Sequence, residues 1–278
     1  MMRSLYTASS GMQAQQLYMD VIANNLANVN TTGFKKSRVE FQSLLYQSIR
    51  QPAYSGIGFF NPTGIEVGNG VRVIGTPIEL ESGYLEETSN PLNLAIQGDG
   101  YFMVHLPNGE VGYTRAGNFR LDTEGYLINA AGYRVLSSKG NANPTGGNVS
   151  VAGKSLKYIQ PDTDTDEISI SEEGIIATEK VDGANGPVIE LATFTNPLAL
   201  ESIGGTLFKA NEVVGTITLD QPTKNGLGSV HSGFTEGSNV QIVEEMVKMI
   251  MAQRAYEINS KSIQTSDDMM SLTNNLKR

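Results

Sequence analysis

Few residues in this 278-residue chain are of the types that do chemistry, and their spacing decides what that chemistry would be. The stretch GGNVSVAGKS, residues 146–155, has the glycines and the Lys-Ser pair of a phosphate-cradling loop. Such a loop needs four residues between its glycines, but five separate Gly147 from Gly153. The following SLKYIQP reads as a strand, whereas an anion cradle of this kind opens a helix. Asp162, Asp164 and Asp166, with Glu173 eleven residues after Asp162, echo a calcium loop. Glu167 stands where that loop needs Gly for its sharp turn, so the reading is a solvated acidic loop. His105 alternates with Tyr101 and Met103 as a strand residue, and His231 lies in GSVHSGF. Neither has a Cys for company, and no HExxH or GxSxG occurs. The pair Glu86-Glu87 sits in an acidic region, and a glycosidase would need two carboxylates about 5–10 Å apart across a cleft. The expectation is a protein that is not an enzyme, with no catalytic, cofactor-binding or metal-binding residues and no cofactor.

Composition narrows the remaining classes. The net charge of −9 argues against nucleic acid as a partner. No run of 18 apolar residues occurs, so no membrane insertion is expected. The start, MMRSLYTASSGMQAQQ, has one Arg but no apolar block after it, so export would use a route that cuts no signal peptide. With no Cys there is no disulfide framework and no thiolate chemistry. Residues 76–233 hold 9 Lys+Arg against 20 Asp+Glu, while the two ends together are near neutral, a division at the level of domains.

The two ends have helical periodicity. Leu5, Met12, Met19 and Leu26 recur every seven residues, with Ala8, Gln15, Ile22 and Val29 three residues after them, a heptad seam from Arg3 to Asn30. At the other end, residues 238–278 contain no Gly or Pro and read as one long helix, with Ser238 as N-cap and Glu244 and Glu245 near its N-terminal dipole. Ile242, Met249, Tyr256, Ile263 and Met270 form a seven-residue series. A second stripe, including Val247, Met251, Ile258, Met269, Leu272 and Leu276, gives this helix more than one neighbour. Asn24, Asn25, Asn28 and Asn30 crowd the first helix, where a wet face would usually carry charge. Two readings stand: the ends pair within one chain, or they pack among copies of themselves, where neutral polar residues avoid like-charge repulsion. Head-to-tail contacts that do not close into a ring make a filament.

Between the ends, FKKSRVEFQSLLYQSIRQ reads as a short helix with Phe41, Leu44, Leu45 and Ile49 on one side, followed by an extended Gly- and Pro-rich stretch. Phe59 and Phe60 there either tuck under the adjacent domain or touch another subunit. From about Thr76 the period changes to two. Tyr101–Leu106 and Val111–Arg115 read as a hairpin with a type I′ turn at Asn108-Gly109, and turns follow at Ala116-Gly117, Glu124-Gly125 and Ala131-Gly132. Further strands are expected near Leu156–Ile159, Glu167–Ile170, Ile175–Thr178, Val188–Thr195, Leu207–Lys209 and Val214–Leu219. The expected fold class is α+β: a discontinuous helical, coiled-coil-like domain from both chain ends and a central all-β domain. The expected segments are 1–33 (first helix), 34–75 (extended and short-helix bracing segment), 76–233 (all-β outer domain) and 234–278 (second helix, pairing with the first).

Three ordered stretches resemble one family, the rod and hook proteins of the bacterial flagellum. ANNLANVNTTGFK (23–35) is similar to that family's N-terminal signature. GDGYFMV with YTRAGNFRLDTEGYLINAAGYRVL (98–136) resembles its shared β domain, and EEMVKMIMAQRAYEINSKSIQTSDDMM (244–270) its C-terminal helix. MMRSLYTASSGMQAQQ, LLYQSIRQPAYSG and PTGIEVGNGVRV look most like the distal-rod branch, with proximal-rod or hook-type members as alternatives.

The resemblance implies a structural subunit, exported without a cleaved signal by the flagellar type III apparatus and assembled helically into a hollow, rigid, periplasm-spanning drive shaft around the export channel. It implies as partners further copies of itself, proximal rod proteins, the hook protein, the ring (bushing) proteins and the rod cap. On this reading Leu5, Met12, Met19, Ile22, Asn24, Asn25, Leu26, Asn28 and Val29 of the first helix pack in the polymer. So do Ile242, Met246, Met249, Ile250, Tyr256, Ile263 and Met270 of the second, while Tyr46, Ile49, Phe59 and Phe60 brace neighbouring subunits. Two other classes compete: a β-domain binding module oligomerised into a closed ring, and an enzyme acting on cell wall.

Overall fold

The computed structural model of the chain describes residues 2–50, 53–55, 59–61, 64–144, 149–161, 168–177 and 186–276. The acidic stretch 162–167 and the glycines at 146 and 147 lie outside the described residues, as do the side chains of Phe59 and Phe60. The chain divides into two units: one from Met1–Ala27, Ser37–Glu79 and Gln241–Arg278, the other from Asn28–Lys36 and Leu80–Val240.

The first unit holds two long helices, α1 (Met2–Ala27) and α2 (Ile242–Asn275). They run antiparallel in a fixed register. Ser4 Oγ lies 3.5 Å from Ser266 Oγ, Gly11 faces Asn259, and Asn25 Nδ2 donates to Glu245 Oε2 at 3.1 Å. The paired residue numbers sum to 270 each time, so residue i of α1 opposes residue 270 − i of α2. α2 begins later than the sequence suggests: its N-cap is Gln241, which makes no side-chain cap, and Ser238 instead accepts from the Val240 N–H at 3.3 Å. α1 ends earlier, at Ala27, because residues 28–36 turn into the second unit. The Thr31 N–H and hydroxyl donate to the backbone oxygen and side-chain oxygen of Asn28, both at 3.1 Å.

The expected short helix after residue 34 is not there. Residues 40–75 form a ladder of three successive antiparallel pairs: Glu40–Ser43 with Val71–Gly75, Gln47–Arg50 with Ile65–Val67, and Ala53–Ser55 with Phe59–Asn61. The local apolar spacing of Phe41, Leu44, Leu45 and Ile49 suits a helix. The β-branched Ile65, Val67, Val71 and Val73 downstream, however, offer a strand partner that a local reading does not see. α1 meets this ladder closely. Val71 N–H donates to Ser10 Oγ at 3.4 Å, and the Tyr18 and Phe41 rings meet edge to face at 5.7 Å.

Among its described residues, the second unit's regular elements are strands apart from two 3₁₀ turns. Its main sheet has seven antiparallel strands in the order Val149–Val151, Lys154–Tyr158, Val135–Ser137, Phe102–His105, Val111–Thr114, Leu207–Lys209, Glu201–Gly204. Phe102, Val104, Phe119, Leu127, Val135, Ile159, Ile189 and Leu191 share its core. Phe102, Met103 and Val104 are all buried, so this strand is covered on both faces.

Four of the turns here close by one device. In 106–110, 122–126, 129–133 and 171–175 the first residue N–H donates to the fifth residue's carbonyl, and the fourth residue, a glycine with φ between 76° and 84°, donates back to the first. That is a three-residue loop with Gly in the left-handed position, not the two-residue type I′ turn expected at Asn108-Gly109. Gly117 is not a turn residue of this kind; an added Cβ would lie 1.6 Å from Leu94 O, so it is Gly for close approach of two backbones.

Candidate assembly surfaces

The seam between α1 and α2 is built from small and polar side chains. Ser4, Ala8, Gly11, Ile22 and Asn25 face it from α1, and Glu245, Ala252, Asn259 and Ser266 from α2, the last four spaced by seven residues. At Gly11 an added Cβ would come within 2.9 Å of Asn259 Nδ2, so the glycine leaves room for the Asn259 amide. At the base of the pair Asn25 satisfies three partners at once. Its Nδ2 donates to Ser37 O at 2.9 Å and to Glu245 Oε2 at 3.1 Å, and its Oδ1 accepts from Ser37 N–H at 3.0 Å. Lys248 Nζ completes Glu245 at 2.9 Å and reaches Glu244 at 3.0 Å. Burial alone would lower the Lys248 pKa, but the carboxylates of Glu245 and Glu244 outweigh it and hold the amine above its usual value.

The apolar residues of α2 point the other way. Val243, Ile250, Met251 and Ile258 are 76%, 55%, 67% and 68% exposed, whereas Glu245 and Ala252 are 2% exposed. At about 100° per residue, Val243, Met246, Val247, Ile250, Met251 and Ile258 are turned about 100° or more away from Glu245 and Ala252. An exposed apolar stripe of this length on a water-soluble helix is the mark of an interaction surface. Beside α1, a groove of about 730 Å³ runs between Tyr6, Leu44, Leu45, Tyr46 and Arg72, with Leu45 almost fully exposed.

The sequence-predicted packing residues differ in how far the single chain covers them. Ile242, Met246, Ile250 and Tyr256 are exposed, and Met249, Ile263 and Met270 are half-buried. In α1, Leu5, Met12, Met19 and Leu26 are half-buried and Asn24 is exposed, while Ile22 and Asn25 are buried. Asn28 and Val29 lie past the helix end, in the second unit. Tyr46 and Ile49 are exposed on the ladder. Sequence reasoning named Ala8, Ile22 and Asn25 but not the other seam residues, whose signal is the seven-residue recurrence of small or polar residues at 245, 252, 259 and 266 and at 4, 11 and 25.

The second unit contains a buried ion cluster that also went unread. Glu236 is fully buried; its carboxylate accepts from Lys35 Nζ at 2.5 Å, from Gly83 N–H at 3.0 Å and from Arg115 Nη1 at 3.5 Å. Lys35 also donates to Glu81 O at 2.7 Å, and Arg115 lies over the Tyr101 ring at 5.2 Å. Burial pushes the Lys35 pKa below the ordinary lysine value, and Glu236 offsets only part of this. Gly33 N–H donates to Glu236 O at 2.8 Å and Lys36 N–H to Asn239 Oδ1 at 2.8 Å.

The residues first weighed for chemistry do not converge. His105 Nδ1 meets Tyr158 OH at 2.7 Å, His231 Nε2 meets Gln97 Oε1 at 2.8 Å, and Glu86 and Glu87 lie on an exposed strand paired with Phe234–Glu236. In the phosphate-loop look-alike, Val149–Val151 and Lys154–Tyr158 are paired strands, so no helix follows Gly153. Among the described residues, no helix is long and apolar enough to cross a membrane.

Comparison with known proteins places these surfaces in a family. Residues 5–35 match the family described as flagella basal body rod protein, and residues 95–178 the flagellar hook protein FlgE/F/G D1 domain. Residues 231–276 match the flagellar basal body rod FlgEFG protein C-terminal family. The chain is 44% identical to the flagellar basal-body rod protein FlgG of Borreliella burgdorferi over 100% of both chains. It is 42% identical to the FlgG of Caulobacter vibrioides over 99% of this chain and 100% of the other. With the FlgG of Bacillus subtilis it shares 40% identity over 100% of both chains. With both terminal helices and the intervening β unit matched along their whole length, the chain belongs to the flagellar basal-body rod protein family and is a structural subunit of the flagellar rod.

Proposed function

We propose that the subunit polymerises helically into the distal part of the rod, forming a hollow, stiff shaft that carries torque from motor to hook and encloses the export channel. The observation that carries this reading is the apolar stripe of α2 formed by Val243, Met246, Val247, Ile250, Met251 and Ile258, turned away from the α1 seam and left to water in the single chain. A second copy would cover it, removing several large apolar side chains from water at about 1.5–3 kcal/mol for each one fully buried. The partners would be further copies, packed through coiled-coil-like contacts, with the exposed Tyr46 and Ile49 of the ladder, and Phe59 and Phe60 beyond them, bracing neighbours. At its two ends such a shaft would meet proximal rod proteins and the hook protein, and along its outside the ring proteins. The rod cap and the flagellar type III export apparatus would act in assembly, which places the subunit outside the inner membrane and reached without a cleaved signal. In this role the chain is not an enzyme, in keeping with relatives named as rod proteins.

Sedimentation of the native chain beside an Ile250→Asp variant tests this. The native chain is expected to form species of open-ended mass and the variant to remain a subunit with its second unit folded. A variant that assembles like the native chain, or a native oligomer of one fixed mass, contradicts the reading.

A further inference from the structure

The loop Asn28–Lys36 follows α1, and residues Glu236 and Asn239 precede α2, so these are the two segments that lead into the end helices. Within the second unit they are joined three times: by the Lys35–Glu236 ion pair, by Gly33 N–H to Glu236 O, and by Lys36 N–H to Asn239 Oδ1. Gly33 has φ of 70°, and an added Cβ would lie 2.4 Å from Ala116 N, so the loop fits its seat only as glycine. The joint is closed to water, with the Lys35 and Glu236 side chains 1% and 0% exposed. No residue of this joint belongs to either helix.

We propose that this joint is a clasp that holds the lead-in segments together while the end helices are unpaired, so that the helix pair closes from Asn25 and Glu245 outward. Without it, the path from Ala27 to the folded second unit is loose up to the pairing of Leu85–Glu87 with Phe234–Glu236, through residues 28–84, and closure probability falls as about the three-halves power of loop length. With it, only a few residues on each side separate the clasp from the Asn25–Glu245 bond. The far part of the seam, with the paired hydroxyls of Ser4 and Ser266 and with Gly11, lies one helix length from the clasp, so closure proceeds from the clasped base. The inference rests on the proposed assembly into a rod, which supplies one of its readouts.

Amide hydrogen exchange on the native, unassembled full-length chain tests it first. Protection is expected to be graded, highest at Ile22–Asn25 and Glu245–Lys248 and lowest near Ser4 and Ser266. Uniform protection, or uniformly fast exchange, along both helices overturns the clasp. Lys35→Met is expected to erase the gradient and to raise the subunit concentration needed for assembly on the order of tens of fold, while Phe102–His105 stays protected. Because the chain has no Cys, Lys36→Cys with Asn239→Cys can join the same segments covalently on treatment with oxidised glutathione. That bond is expected to restore the gradient and assembly to the Lys35→Met chain. A folded Lys35→Met chain that assembles normally, or one the bond does not restore, overturns the clasp. If Lys35→Met unfolds the second unit, the double-Cys chain alone decides: oxidised, it must assemble at lower concentration than reduced, and equality overturns the proposal. A native chain that never assembles counts against the rod reading, and the exchange gradient then judges the clasp alone.

Discussion

Asn25 and Glu245 lie 220 residues apart in sequence, and a 3.1 Å hydrogen bond joins them where α1 ends and α2 begins. Asn25 is 2% exposed and makes three hydrogen bonds, so its amide is fully used inside one subunit. The cluster of asparagines in the first helix had suggested contacts between copies; for this one the structure shows an internal tie between α1, Ser37 and α2.

Asn25→Ala should therefore act on the subunit itself. It leaves the Ser37 N–H and one oxygen of a buried carboxylate without partners, at about 1–3 kcal/mol for each group. Denaturant unfolding of the helical unit is expected to shift by that amount, with the second unit's transition unchanged. An unshifted helical transition would show that the bond is not formed in solution.

Gly11 sets how closely the helices approach. Gly11→Leu is expected to force them apart and destabilise the pair by about 1–3 kcal/mol, as overpacking does. Gly11→Ala combined with Asn259→Ala removes the clash with the Asn259 amide and gains about 0.5–1 kcal/mol of helix propensity. Circular dichroism during melting separates these outcomes; equal effects of the two changes would contradict the register.

His105 gives the second unit an acid sensitivity. Burial holds its pKa below 6.5, and the Arg134 guanidinium on the same cluster adds to this. Tyr158 hydrogen-bonds its ring, while Arg134 lies over Tyr126 and Tyr158 and pairs with Glu124 at 2.8 Å. The unfolded chain takes up this proton more readily than the folded one, so the stability tied to a neutral His105 is complete above pH 6.5 and is lost as pH falls below it. Thermal melting of the second unit is expected to fall over that window and to lose this part of its slope in His105→Gln. An unchanged slope in the variant would assign the acid sensitivity elsewhere.

Much of the architecture was legible because it is written in local pattern. The long C-terminal helix has no breaker, and the strands around Phe102–His105 and Val111–Thr114 alternate between turn glycines. What stayed hidden was non-local. The ladder of residues 40–75 needed its partner strand at 65–75 to outweigh a helical spacing. The Lys35–Glu236 pair spans 201 residues, and no sequence pattern marks a lysine for burial. The small and polar residues of the helix contact carry no apolar periodicity, and Val243, Ile250, Met251 and Ile258 are left exposed.

The central claim is that this outward face is buried between subunits. Oxidative footprinting of methionines reads it directly, since exposed thioethers oxidise and covered ones do not. Met246 and Met251 are 50% and 67% exposed in the single chain. Both are expected to oxidise readily in the unassembled subunit and to be protected in the assembled rod. Equal oxidation of the two in both forms would leave the apolar face of α2 uncovered in the polymer and contradict the account.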